Sequence, residues 1–248
     1  TTASFGVTVR RFVEPDEPGD PEEPGEPGEP DDPELPDFSP LDNIDNLWFW
    51  QTWARTDLPV RDRHTVRTWM WGPGPFTESL WEAYAESPNG EREVIYFDKA
   101  RMEITHPDGD SDDLWYVTNG LLVVEMITGN RQFGDDTFAY YGPAEVNVAG
   151  DPDDPNAPTY ASLQKVLDAP AQEVGTLLTE QIDRDGNVSR DDVWGAYGIT
   201  VGFVDEVTQH GIAGPFWAFM HSTGPVWQDG ELVEAPLFEH PFYATGRP

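Results

Sequence analysis

Residues 93–105, EVIYFDKARMEIT, decide how the rest of the chain is read. The run over Glu93–Asp98 is aromatic and β-branched and resumes through Met102–Thr105, so the stretch reads as strand. Arg101 and Glu103 stand two apart within it and share a face, where a cross-strand ion pair is the ordinary use of such residues. Upstream, Leu41–Arg55 (LDNIDNLWFWQTWAR) reads as a helix with Ile44, Leu47 and Trp48 on one face and Pro59 beyond its end. A strand is expected at Thr65–Trp71, then a Gly-Pro turn at WGPGPF, a helix or strand around Leu80–Ala85 and a turn at Pro88-Asn89-Gly90. Downstream, the acidic loop HPDGDSDD precedes Leu114–Thr118 and the strongly apolar GLLVVEMITG, with further strands at Thr137–Tyr141 and Glu145–Val148. A short helix is expected at Thr159–Leu167, and Val174–Ile182 pairs with Val188 onward across Asp185-Gly186. Gly198–Val207 reads as a strand, Gly214–His221 as a helix, and VWQDGELV as a hairpin turning at Asp229-Gly230. Short strands, two or three short helices and no βαβ rhythm give an α+β body that is mainly antiparallel, over residues 41–248.

The charge balance is lopsided: the 248 residues carry 47 Asp and Glu against 14 Lys and Arg, a net −33. Twelve of the acids lie between Glu14 and Asp37, so the chain after Asp37 still carries −23. Acid spread over every loop reads as a halophilic surface, on which salt screens repulsion and hydrated carboxylates keep the protein soluble. The same charge argues against nucleic acid and anionic membranes as partners. With no cysteine there are no disulfides, thiolate metal sites or Cys nucleophiles. No apolar run approaches the roughly 20 residues of a membrane span. The chain starts at Thr1 rather than Met, which suggests a processed secretory N-terminus.

Two segments precede the body. From Pro15 to Pro36 a proline falls at every third position, eight in all. Polyproline II has three residues per turn, so residues 14–40 read as an acidic, extended linker of roughly 70–80 Å. The body expected after it is about 45 Å across. Residues 1–13 alternate instead: Phe5, Val7 and Val9 face one way, Gly6, Thr8 and Arg10 the other. A lone strand must pair with a sheet edge to persist in water. It is either a tail, the last strand of an upstream domain, or a strand donated to a neighbouring subunit across the stiff linker.

The runs YFDKARMEI, YVTNGLLVVEMITG, PAEVNVAGD, PTYASL, GPFWAFMHSTGPVW and FEHPFYATGRP succeed one another between Trp48 and Pro248. In that order they resemble a family of uncharacterised secreted proteins of Chloroflexota-type bacteria. The resemblance implies an extracellular protein and no particular activity. Members of that family typically continue past the position of Pro248 into further aromatic, strand-like sequence, and the proline-rich arm is not part of their pattern.

Chemistry-bearing residues are sparse. No HExxH, nucleophile elbow or phosphate loop occurs, so no catalytic residues are assigned. His210, in VTQHGIAGPFW, lies between a strand and a helix and could join Asp98, Arg101 and Glu103 in an acid–base group; a structural histidine is the plainer reading. Asp183, Asp185 and Asn187 space oxygens as the start of a calcium loop does, but Trp194 stands where a bidentate Glu belongs, and a solvated loop explains them as well. A second acidic cluster is Asp108, Asp110, Asp112 and Asp113. Calcium is the one cofactor the sequence suggests. Asn187-Val188-Ser189 is a glycosylation sequon in a turn-like stretch. Trp48, Trp50, Trp53, Trp69, Trp71 and Trp81 are either core or, where exposed, a platform for sugar rings.

These features suggest a secreted structural protein, a filament or surface-matrix subunit that self-assembles through Phe5, Val7 and Val9. The alternative is a stalked module that binds cell-wall or other polysaccharide; an enzyme without a recognisable motif comes third.

Overall fold

The stretch 93–105 lies in a hairpin in the computed structural model, which describes residues 43–248 apart from 99, 120 and 150–152. The strand expected in residues 1–13 and the linker at 14–40 lie outside the described residues. Strand β2 (Glu91–Phe97) turns back at Asp98 into β3 (Ala100–Ile104), and β1 (Leu80–Ala83) adds on the other side, giving an antiparallel sheet β1-β2-β3. The rest is built from two-stranded antiparallel hairpins: β4 (Asn130–Gly134) with β5 (Thr137–Tyr140), β6 (Glu180–Ile182) with β7 (Val188–Arg190), β8 (Val201–Val204) with β9 (Gly211–Ala213), and β10 (Thr223–Gln228) with β11 (Glu231–Pro236). With helices α1 (Leu47–Arg61), α2 (Leu122–Thr128) and α3 (Gly214–Met220), the body is α+β and mainly antiparallel. Residues 39–248 form one unit.

Helix α1 begins and ends six residues later than the spacing of its apolar residues suggested. The Asn46 side chain accepts from the N–H of Trp48 at 2.9 Å and of Phe49 at 3.5 Å, which caps the helix there. Pro59 lies inside the last turn, not beyond the end. The buried face is Phe49, Trp53, Ala54, Asp57 and Leu58, while Leu47, expected inward, is 57 % exposed. The expected strand at Thr65–Trp71 is irregular instead. At its end the backbone is held by Asp57, whose carboxylate accepts from the N–H of Met70, Trp71 and the following Gly72 at 2.8, 2.7 and 3.0 Å. Burial pushes the Asp57 carboxyl upward, against the three amides that hold it down.

GLLVVEMITG, apolar enough for a strand, is helix α2, with Glu125 and Ile127 turned inward. Gly129 stops it in the left-handed conformation at φ 75°, and a side chain there would run into the backbone of Gly142 and Pro143. Glu145–Val148 and Leu114–Thr118 are not strands either; each makes only one isolated bridge, Asn147 with Thr159 and Thr118 with Glu103. The expected hairpins at 180–190 and 223–236 are present, the second turning at Asp229 (φ 54°) and Gly230 (φ 86°) as a tight two-residue loop demands. Helix α1 packs on β10, and Val226, Leu237 and Phe238 form a core cluster with Met70 and Phe219 against it.

Candidate functional site

Helix α1 presents Trp48, Gln51, Thr52 and Arg55, at spacings of three and four, to a groove of about 670 Å³. Trp50 reaches the same groove from the adjoining helix flank, although it cannot share a face with Trp48. The opposite wall is the end of the acidic loop and the turn after it, with Asp112, Asp113 and Tyr116. The β10–β11 turn closes one end with Trp227, Gln228 and Asp229, and the C-terminal segment adds Glu239 and Tyr243. Five aromatic rings and a set of amide and carboxylate acceptors thus meet in one open depression.

Each wall is held from behind. Arg55 donates to the carbonyls of Leu237 (3.2 Å) and Pro236 (2.9 Å) and to Gln228 Oε1 (3.0 Å), tying α1 to the C-terminal wall. The Tyr243 hydroxyl donates to the Val117 carbonyl at 3.0 Å, and the Trp115 ring meets the Tyr243 ring edge-on at 5.5 Å. Burial raises the Tyr243 phenol above its usual range, so it stays a donor. Tyr116 stands edge-on to Trp48, centroids 5.5 Å apart. The acidic loop is pinned by its own carboxylates: Asp110 Oδ1 accepts from Asp112 N–H at 3.0 Å, and Asp113 Oδ1 from Trp115 N–H at 2.8 Å. The indole N–H of Trp50 is buried with no acceptor. A smaller hollow of about 240 Å³ shares Asp113 and Tyr116 with the groove and adds His106, Asp110 and Trp115. The acidic loop is therefore a ridge between two depressions.

A second polar constellation lies on the sheet. Alternation places Glu82, Arg92, Tyr96, Arg101 and Glu103 on one face of β1-β2-β3, and Ile95, Phe97, Met102 and Ile104 on the other. Glu103 accepts from Arg101 Nε at 2.5 Å and Arg92 Nη1 at 2.8 Å. Arg101 donates also to both oxygens of Glu125 on α2, at 2.9 and 3.2 Å, and Glu125 Oε1 accepts from Gln132 N–H at 2.9 Å. The Tyr96 hydroxyl donates to Glu82 Oε1 at 2.6 Å, which also pairs with Arg131 at 2.9 Å. The Arg92 guanidinium lies over the Tyr84 ring at 4.6 Å. Burial alone would lower Arg101, but Glu103 and Glu125 reverse this and keep it charged. Burial likewise opposes ionisation of Glu125, but the bonds from Arg101 and Gln132 hold its carboxyl below the usual range. Arg92 and Arg101 are each about 1 % exposed, so this layer is a structural clamp closed to ligands.

Of the residues singled out from the sequence, Arg101 and Glu103 meet, but His210 sits apart in the β8–β9 connection. There its carbonyl accepts from Asp205 N–H at 2.9 Å and its N–H donates to Thr208 Oγ1 at 3.4 Å. The partners that Arg101 and Glu103 use are each other, Arg92, Tyr96 and Glu125. Asp183 caps the β6–β7 hairpin, accepting from Asn187 N–H at 2.8 Å and Asn187 Nδ2 at 3.1 Å, bonds that lower its carboxyl. The Lys165 ammonium donates to the Asp185 carbonyl at 2.5 Å and to Asn187 Oδ1 at 3.4 Å, so a cationic side chain already stands on one of the side-chain oxygens suggested for calcium. Among the described residues no group of three or more His, Asp or Glu side chains is placed to hold a metal ion. Asn187 is exposed. Trp53 and Trp71 are core, Trp81 is 61 % exposed, and Trp48 and Trp50 line the groove. Residues Tyr116, Trp227, Glu239 and Tyr243 had no local signal, since they come together only through the tertiary fold.

Comparison with protein-family models, curated proteins and solved structures finds no match to the chain. Among the described residues no helix is long and apolar enough to cross a membrane.

Proposed function

We propose that the body is an extracellular carbohydrate-binding module that recognises polysaccharide in the groove between α1 and the acidic loop. The observation that carries this reading is the company kept there by Trp48, Trp50 and Tyr116 with Gln51, Asp113 and Glu239. Pyranose rings offer apolar C–H faces that stack on aromatic rings and hydroxyls that donate to carboxylate and amide oxygens, so a site for them mixes these two residue types. The ridge between two hollows suits a chain of sugars lying across it. The test is titration of the full chain with soluble oligosaccharides of increasing length, monitored by tryptophan fluorescence and calorimetry. Binding that strengthens with length supports the reading; no binding to neutral or amino-sugar polymers of any length overturns it.

A second reading, a structural subunit that self-associates by strand donation, is favoured by one edge of the sheet structure. Strand β5 leaves Phe138 51 % and Tyr140 70 % exposed and carries no charged residue. Loss of association on removal of residues 1–13 is its test. The two readings are compatible: a secreted matrix subunit needs both a ligand and a neighbour.

A further inference from the structure

We propose that residues 5–9 of a second copy add to β5 as an antiparallel strand, with Val9 opposite Phe138, Val7 opposite Tyr140 and Arg11 opposite Asp136. The inference rests on the self-association reading and adds its acceptor and register.

The acceptor is fixed by hydrogen-bond geometry. Tyr141 N–H donates to the Gly129 carbonyl at 2.7 Å, and the β4–β5 register continues with Tyr140 on Asn130, Ala139 on Arg131 and Phe138 on Gln132. Bonded and non-bonded pairs alternate in an antiparallel ladder, so Ala139 bonds to Arg131. Phe138 and Tyr140 accordingly turn their N–H and C=O groups away from β4. On the far side of β4, the Phe133 carbonyl accepts from Ala85 N–H at 2.8 Å, so among the described residues β5 is the open side of this hairpin.

Several other edges carry features that discourage pairing. Strand β7 ends in Arg190, β6 begins with Glu180, β11 holds Glu231, Glu234 and Pro236, and β9 runs directly into α3. Residues 137–141, TFAYY, have no such guard. A two-stranded hairpin is marginal in water, and a third strand is what it lacks.

The occupant is named by the sequence outside the described residues. Phe5, Val7 and Val9 alternate with Gly6, Thr8 and Arg10, so pairing Val7 and Val9 with Tyr140 and Phe138 puts all the apolar side chains on one face. Antiparallel direction then carries Arg10 and Arg11 to the start of β5, where the connection from β4 is Asp135-Asp136 and both residues are exposed. Against a body of net −23, this is the segment with two adjacent arginines, and the register sets Arg11 opposite Asp136, with Arg10 opposite Thr137. As a polyproline II helix the 27 residues of linker would reach farther than the roughly 45 Å expected for the body, which favours a neighbour over the strand's own body.

The chain has no cysteine, so paired cysteines report the register without background. Thr8 and Ala139 face each other as a non-bonded pair in this register, with Cα atoms about 4.5 Å apart, within disulfide range. Full-length T8C/A139C should oxidise to a ladder of covalent oligomers, and peptide mapping should join residue 8 to residue 139. Asp136→Lys should weaken association about tenfold, and Arg11→Glu added to it should restore most of the loss. Association that depends on residues 1–13 but gives neither the 8–139 link nor the charge-swap rescue overturns β5 as acceptor and leaves strand donation standing. A link formed within one chain overturns the second copy as donor. A 139–139 link with association unaffected by the deletion means β5 pairs with itself, and a protein that stays monomeric with and without residues 1–13 overturns both the register and the self-association reading.

Discussion

Asp57, in the third turn of α1, accepts the backbone N–H of Trp71 at 2.7 Å, fourteen residues later in the chain. With the bonds to Met70 and Gly72, this one carboxylate takes up the three consecutive amides at the end of the stretch expected as a strand. Asp57→Ala leaves three amides without an acceptor, two of them only partly buried, and should cost about 3 kcal/mol or more. Chemical denaturation of the variant checks this. A loss below about 1 kcal/mol would show that water replaces the carboxylate.

The layer of Arg92, Arg101, Glu103 and Glu125 should be costly to break and cheap to replace. Glu103→Gln leaves two buried guanidiniums short of their counter-charge and should destabilise by about 3–5 kcal/mol. Replacing Arg92, Arg101, Glu103 and Glu125 together by apolar residues of like volume should be close to neutral. Equal losses for the single and the fourfold variant would contradict this view of the layer.

Glu125 makes the same layer sensitive to acid. Its folded pKa lies below the unfolded value, so its contribution is complete above the ordinary carboxylate range and is lost as pH falls through the folded value. The stability gap between the parent and Glu125→Gln should therefore be widest near pH 6–7 and shrink below about pH 4. A gap that is constant or widens on acidification contradicts the assignment.

In the groove, Trp48→Ala removes a ring without disturbing the buried face of α1, which runs through Phe49 and Trp53. Affinity for a bound oligosaccharide should fall about tenfold or more, equivalent to about 1.4 kcal/mol. Trp81→Ala is the matched control: equally aromatic, exposed and outside the groove, it should leave binding unchanged.

Salt separates the two kinds of charge in the molecule. Unfolding midpoints should rise between low and molar salt as the surface repulsion of the −33 chain is screened. The penalty of Glu103→Gln should hardly change over the same range, because the pair is shielded from ions. A midpoint that falls with salt would rule out the halophilic surface.

Hairpins whose turns are written locally were legible in the sequence: Asp229-Gly230 and Asp185-Gly186 fix their neighbours wherever they stand. Helix α2 was not, because LLVV carries the same apolar residues into a strand or a helix. What decides is Glu125, which must reach Arg101 from the next layer, and Gly129, whose left-handed turn ends the helix. The bounds of α1 shift for a similar reason, since the cap at Asn46 outweighs the apolar residues before it. Arg101 and Glu103 were legible as a pair on one face; their burial and their partners Arg92 and Glu125 were not. The groove was half visible in Trp48 and Trp50. Its other wall comes from residues more than sixty positions away, which no local spacing brings together.

The way arginine is used here has a consequence for digestion. Arg101 is sealed under α2 by Glu125, Arg92 is buried against Glu103, Arg67 is bound to the carbonyls of Thr56 and Pro225, and Arg184 to Asn147 and the Ala157 carbonyl. A trypsin-like protease needs an accessible, pliable basic residue, and the body spends these four of its ten arginines on internal fastenings. Arg10 and Arg11 are different, lying ahead of an acidic stretch with no lysine or arginine before Arg55. If residues 1–13 join neighbouring copies as proposed, cleavage after Arg10 or Arg11 would part the copies and leave the internally fastened arginines uncut.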